Sequence, residues 1–181
     1  LLLVTGAGGS EEFAMEFQAA TESWRQHADD AGMKVFQVSG EKEGTTPRDQ
    51  LQDLLKSLPG ESLQPLWIIF IGHGTYAQGK AKFNLVGPDL SAEDLALWIE
   101  RFRRPVAGVN CSSASGPFHN RLSRAGRVNV TATRRGDERD CSRFGILFAA
   151  STHDPAVDPV HDGQVSLLTA CLPPSTRAQR R

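Results

Sequence analysis

Two short segments carry the residues that could do chemistry. Gly72-His73-Gly74 follows directly on the apolar run Leu66 to Ile71, and Asn110-Cys111-Ser112-Ser113-Ala114-Ser115-Gly116 follows on a second run, Val106 to Val109. An imidazole can take a proton from a thiol or hydroxyl and later return it to a leaving group, so the two segments together suit nucleophilic acyl transfer. Glycines on both sides of His73 remove neighbouring side chains, and a substrate backbone is expected to come close there. His27, His119, His153 and His161 have no such setting and are expected at the surface.

The chemistry requires elements that bring the two segments to one edge. Strand and helix signals alternate along the chain. Leu1 to Val4 reads as a strand, and Phe13, Phe17, Ala20, Trp24 and Ala31 then recur at helical spacing up to Gly32. Val35 to Val38 is a second strand. Thr46-Pro47 with Asp49 starts a helix whose stripe is Leu51, Leu54, Leu55 and Leu58. Leu66 to Ile71 is the third strand, and two short stretches about Gln78-Gly79 suggest a hairpin. Ser91 to Asp94 caps a helix with Leu95, Trp98, Ile99 and Phe102 inward. Val106 to Asn110 is the fourth strand, Ser115 begins a helix, Arg127 to Ala132 is the fifth strand, and Phe144 to Ala150 is helical. Continuous apolar strands alternating with helices predict a three-layer α/β/α sandwich with a mostly parallel central sheet. In such sheets function collects beyond the carboxyl ends of the strands, where both candidate segments fall.

The remaining composition narrows the classes. At 181 residues one domain with a full core is expected, over 1–172, with a polar, frayed tail over 173–181. The formal net charge of −1 comes from acids and bases mixed along the chain, which argues against a nucleic-acid partner. The apolar runs are far too short for a membrane span. Residue 1 lies inside a strand-like run with no initiating Met, so an upstream segment is expected, and export to the periplasm or cell exterior stays open. Cys111, Cys141 and Cys171 form no CxxC pair, and a core of this size needs no disulfide framework. The latter two are expected to be ordinary thiols.

Two further motifs fall short. Thr5-Gly6-Ala7-Gly8-Gly9 begins like a dinucleotide loop, but its third glycine position holds Glu11 and no acid ends the second strand. A tight strand-to-helix turn is expected instead. Asp158 to Gly163 echoes a calcium loop, yet Val160 and Thr169 stand where oxygen ligands belong.

Gly72-His73-Gly74 after the third strand, with Ser115-Gly116 just past the fourth, resembles the legumain and caspase group of cysteine peptidases, closest to bacterial relatives of legumain. The likeness covers residues 1–150 and includes the strand and loop Val128 to Glu138. It implies a His73 base or acid, a nucleophile at the tip of the fourth strand, and an oxyanion hole from the N–H groups of Gly74 and of the nucleophile. It implies neither a metal nor an organic cofactor, and a peptide or protein as partner.

The family pattern is C-x-S-G, and reading back from Ser115-Gly116 without a gap puts Ser113 in the nucleophile's place. A two-residue slip would put Cys111 there. In an extended strand residues 111 and 113 share a side, about 6.5 Å apart, so both stay candidates. No Asp or Glu partner for His73 can be picked out. Phe13-Ala14-Met15 stands where legumain keeps a pocket arginine, so asparaginyl specificity is not expected, whereas Arg134 and Arg135 could meet an acidic group. The expected function is peptide-bond hydrolysis by His73 with Ser113 or Cys111. The alternative is a silent pseudopeptidase that binds a peptide or protein along the same strand edge.

Overall fold

The computed structural model describes residues 1–137 and 144–151. Five parallel strands form the central sheet: β1 (Leu2–Thr5), β2 (Phe36–Val38), β3 (Leu66–Ile71), β7 (Val106–Asn110) and β8 (Arg127–Thr131), in the order β2-β1-β3-β7-β8. Three short antiparallel strands, β4 (Gly74–Ala77), β5 (Lys80–Phe83) and β6 (Leu90–Ser91), make a second sheet. The helices are α1 (Glu11–Asp30), α2 (Pro47–Ser57), α3 (Ala92–Ile99), α4 (Gly116–Leu122) and α5 (Phe144–Ser151).

The apolar strands are continuous because both sheet faces are covered. Leu2, Val4, Ile68 and Phe70 face a core shared with Leu51, Leu55, Leu95, Phe118 and Leu122 of α2, α3 and α4. Their in-between neighbours Leu3, Ile69 and Ile71 face the other core, with Phe17, Ala20 and Trp24 of α1 and Phe144 and Phe148 of α5. The period of two along each strand thus distributes alternate side chains to opposite layers.

Local signals set the element ends. Ser10 and Thr46 accept from backbone N–H groups of the first turns of α1 and α2, and Ser91 with Asp94 forms a reciprocal capping box at α3. The expected hairpin is β4–β5, whose turn residues Gln78 and Gly79 both have positive φ, 52° and 76°. Phe83 anchors it through an edge contact with Phe70 at 5.2 Å.

Several boundaries differ from expectation. Thr5 belongs to the first strand, Val35 and Ala132 lie outside theirs, and α5 runs on to Ser151. Trp98 is half-buried beneath the Arg48 guanidinium, 5.1 Å from its ring, rather than fully inward. Ser115 precedes α4 without capping it, because its hydroxyl is engaged by Thr133. Cys141, Cys171, His153, His161, the segment Asp158 to Gly163 and the tail lie outside the described residues.

Candidate active site

Adjacent strands deliver three loops to one edge. Thr5 pairs with Ile71 and Gly6 N–H donates to the Ile71 carbonyl at 2.8 Å, so the β1–α1 loop runs beside Gly72-His73-Gly74. Phe70 pairs with Asn110, and Cys111 N–H donates to Phe70 at 2.9 Å, which lays the turn after β7 against the other side of that segment. Asn110 pairs with Thr131 and accepts from Ala132 N–H at 2.9 Å, which brings the loop after β8 alongside. The chain reverses its direction of strand addition between β2 and β3, so the β1–β3 crevice is the topological switch point.

His73 stands in that crevice, half-buried. Its Nε2 lies 3.1 Å from the carbonyl oxygen of Gly8. A carbonyl only accepts, so Nε2 donates there, and in a neutral ring Nδ1 is the nitrogen that keeps the lone pair. The ring is edge-packed by Phe13 at 4.7 Å and Phe17 at 4.9 Å, both on α1. Packing and one hydrogen bond to a backbone carbonyl therefore fix its orientation. Among the described residues no carboxylate contacts it.

Ser113 meets Gly74 twice. Gly74 N–H donates to Ser113 Oγ at 3.1 Å, and the Ser113 hydroxyl donates to the Gly74 carbonyl at 2.9 Å. Its single proton is thereby committed to the backbone, and among the described residues none of its hydrogen bonds reaches His73. The glycines beside His73 serve a different purpose from the one expected. A Cβ on Gly74 would overlap the Ser113 carbonyl and lie 2.9 Å from Ser112 Oγ; one on Gly72 would come within 2.8 Å of the Phe83 ring. The space they leave is filled by the protein's own chain rather than held open for a substrate backbone.

Cys111 has a separate environment. It is 5% exposed and packs with Leu3, Ile69, Ile71, Val109 and Phe148 in the layer under α1 and α5, with Gly145 against its Cβ. The shared orientation expected of residues 111 and 113 does not apply, because the chain leaves β7 at Asn110. There the Asn110 Oδ1 accepts from Ser112 N–H at 3.0 Å and from the Ser112 hydroxyl at 2.6 Å, turning the backbone. Ala114 follows with φ of 53°.

Arg134 and Arg135 are exposed on the loop after β8. That loop docks on the start of α4: Gly116 N–H donates to Thr133 Oγ1 at 2.9 Å, and Thr133 N–H donates to Ser115 Oγ at 3.1 Å. His119 is exposed as expected, whereas His27 is half-buried. Phe13 and Phe17 read as core stripe from their spacing, and their second role as walls for His73 was not legible. Nor was the Gly8 carbonyl, since every residue carries that group. An Asn followed two residues later by Ser at a strand end was a signal for the Asn110 turn. Among the described residues no cluster of His, Cys, Asp or Glu could hold a metal, and no helix is long and apolar enough to cross a membrane.

No protein-family model and no curated protein matches the chain. Among solved structures it is similar to the crystal structure of the Drosophila initiator caspase Dronc, with a TM-score of 0.67 at 14% identity, over 99% of this chain and 72% of that chain. The fold is caspase-like. Its core is the parallel sheet in the order β2-β1-β3-β7-β8, flanked by helices on both faces.

Proposed function

We propose that this caspase-like domain binds an extended peptide or protein segment at the edge bounded by His73, Gly74, the Ser113 turn and the loop carrying Arg134 and Arg135, without hydrolysing it. The observation that carries this reading is the Ser113 hydroxyl bridging both backbone groups of Gly74. In the nucleophile's place of the resembled peptidases, a serine is bound to the N–H that would stabilise an oxyanion. A neutral carbonyl suffices to orient an imidazole beside a thiol, which ionises readily. A hydroxyl is harder to activate, and in serine peptidases losing the aspartate behind the histidine costs about 10⁴ in kcat. Cys111, sealed in the α1/α5 layer, offers no accessible thiol in compensation. Arg134 and Arg135 would favour an acidic ligand. The narrower kinship with bacterial legumain relatives belongs to this proposal.

A second reading, hydrolysis through Ser113, is favoured by the His73–Gly8 contact, which occupies Nε2 and makes Nδ1 the base of a neutral ring. Ser113 would rotate off Gly74, pass its proton to Nδ1 and attack the peptide carbonyl. The Gly74 N–H would hold the oxyanion, the imidazolium would protonate the departing amine, and water would cleave the acyl ester.

The experiment treats the wild type and Ser113→Cys with peptidyl acyloxymethyl ketones bearing Asp, Asn or Ala next to the warhead, followed by mass spectrometry, beside turnover of matching fluorogenic peptides. The binding reading expects no turnover and no adduct in the wild type, and an adduct on residue 113 in the variant that His73→Ala abolishes. Wild-type turnover that Ser113→Ala removes would instead establish hydrolysis. An adduct on Cys111 in the folded wild type would overturn both readings.

A further inference from the structure

We propose that Tyr76 is a positioning residue that closes a ring of three glycine contacts around the candidate site, fixing the arginine-bearing loop relative to Ser113. The inference rests on the peptide-binding reading for its ligand, and on geometry alone for the ring.

The ring can be followed contact by contact. On β4, Gly74 touches the turn after β7, because the Ser113 carbonyl occupies the space of a Gly74 side chain. Three residues after Ser113, Gly116 touches the loop after β8. The Arg134 carbonyl fills the space of its side chain, and Arg135 N lies 2.7 Å from where a Cβ would stand. One residue beyond Arg135, Gly136 touches β4 again: a Cβ there would come within 2.5 Å of Tyr76 Cδ2, 2.6 Å of Cγ and 2.9 Å of Cε2. Tyr76 lies two residues from Gly74 on the same short strand, which closes the circuit.

The first two junctions are backbone against backbone and the third is backbone against an aromatic ring, each an approach that the missing Cβ permits. Two junctions also carry hydrogen bonds, Ser113 on Gly74 and Thr133 on Gly116. The third rests on an aromatic ring alone, since the Tyr76 hydroxyl makes no hydrogen bond among the described residues. Tyr76 is 46% exposed, so its ring can be removed without opening a core. Its consequence is local. With the ring closed, Arg134 and Arg135 and the segments carrying His73 and Ser113 sit in one frame; with it open, the loop loses its contact with β4 and keeps those at Thr133 and Gly116. A peptide spanning both regions would then meet two parts that no longer agree in spacing, and misplacement by about 1 Å can cost about a hundredfold.

The test uses Tyr76→Ala, Tyr76→Phe and Gly136→Ala, with two readouts. Amide hydrogen exchange asks about the ring without a ligand. Tyr76→Ala and Gly136→Ala should speed exchange at Gly74 and Gly116 by about tenfold, and Tyr76→Phe should leave it unchanged. In a Ser113→Cys background, the second-order rate with a peptidyl acyloxymethyl ketone should fall about tenfold or more in the first two variants and recover in Tyr76→Phe, while the rate with iodoacetamide stays within about twofold. Exchange altered only at residues 136–137, or peptidyl and iodoacetamide rates falling together, would overturn the proposal. Should exchange respond as expected while no peptidyl reagent outpaces iodoacetamide on Ser113→Cys, the ring stands, the positioning of a ligand is refuted, and the peptide-binding reading fails with it.

Discussion

Ser113→Ala separates a serine that holds the site together from one that awaits a substrate. In the structure the hydroxyl makes two hydrogen bonds with Gly74, accepting at 3.1 Å and donating at 2.9 Å, where both partners are half-buried. Each such bond contributes about 0.5–1.5 kcal/mol net, and the Gly74 N–H and C=O lose their Ser113 partner when the hydroxyl goes. The alanine retains Cβ and the turn, so no cavity cost is added. The sum is a loss of about 2 kcal/mol. For a chain of this length, each kcal/mol moves Tm by about 2–4 °C, which gives a fall of about 4–8 °C. Circular dichroism melts with urea titrations at constant m value measure it. Ser113→Cys should fall between the two, because sulfur bonds to the same groups more weakly. A nucleophile aimed into an open cleft behaves in the opposite way, since active-site side chains are commonly retained at a cost in stability. A Ser113→Ala protein as stable as the parent, or more so, would refute the structural bridge and with it the main argument for a silent site.

Other expectations follow from the same geometry. Gly74→Ala should destabilise the fold by about 1–3 kcal/mol or more, because the added methyl meets the Ser113 carbonyl, and denaturant titration checks it. Cys111 should resist alkylation by iodoacetamide in the folded protein and react on unfolding in urea, as read by intact mass; rapid labelling of the native protein would contradict its packing under α5. Asp94 gives a pH dependence: burial alone would raise its pKa, but the Ser91 hydrogen bond and the Arg48 ion pair at 3.1 Å outweigh it and hold it below the usual aspartate value. Its contribution is therefore present above the unfolded aspartate pKa of about 3.9 and lost as pH falls through the lower folded value, and Asp94→Asn should flatten that part of an acid stability profile. Arg101 caps α2 by donating to the carbonyls of Leu55, Lys56 and Leu58 at 2.9–3.0 Å, so Arg101→Ala should lower stability by about 1–3 kcal/mol in thermal melts.

The parts legible in the sequence were those written in side-chain type at a fixed period. Leu66 to Ile71 is apolar without interruption because both faces are buried, and that alone identified β3 as an interior parallel strand. Thr46-Pro47 and Ser91-Ala92-Glu93-Asp94 named their helix starts because a cap is a local hydrogen bond. What stayed hidden depended on backbone groups meeting across loops far apart in the chain. The Gly8 carbonyl behind His73 has no signature in residue type. Gly72 and Gly74 were legible as sites of close approach, but the sequence could not say whether substrate or protein would do the approaching. Phe17 was assigned correctly to the buried stripe of α1 and Phe13 lies half-buried at its margin, while their contact with His73 follows from where that helix lies across the sheet.

The register of the turn after β7 follows from two anchors, and it decides which side chain stands at the turn's apex. Upstream, the Cys111 side chain is seated in the α1/α5 layer, and its N–H continues the β7 ladder onto Phe70. Downstream, Ser115 and Gly116 are held by Thr133. Only residues 112–114 lie between these anchors, with Asn110 turning the first of them and Ala114 in the left-handed region reversing the last. Ser113 is the apex of that short arch. Sliding Cys111 to the apex would withdraw an apolar side chain from a sealed core, break the ladder at Phe70 and pull Gly116 off Thr133 at once. Burial of a residue that size contributes about 1 kcal/mol or more, before the two backbone bonds are counted. The anchors therefore place a serine at the apex, where its hydroxyl is held by the neighbouring strand.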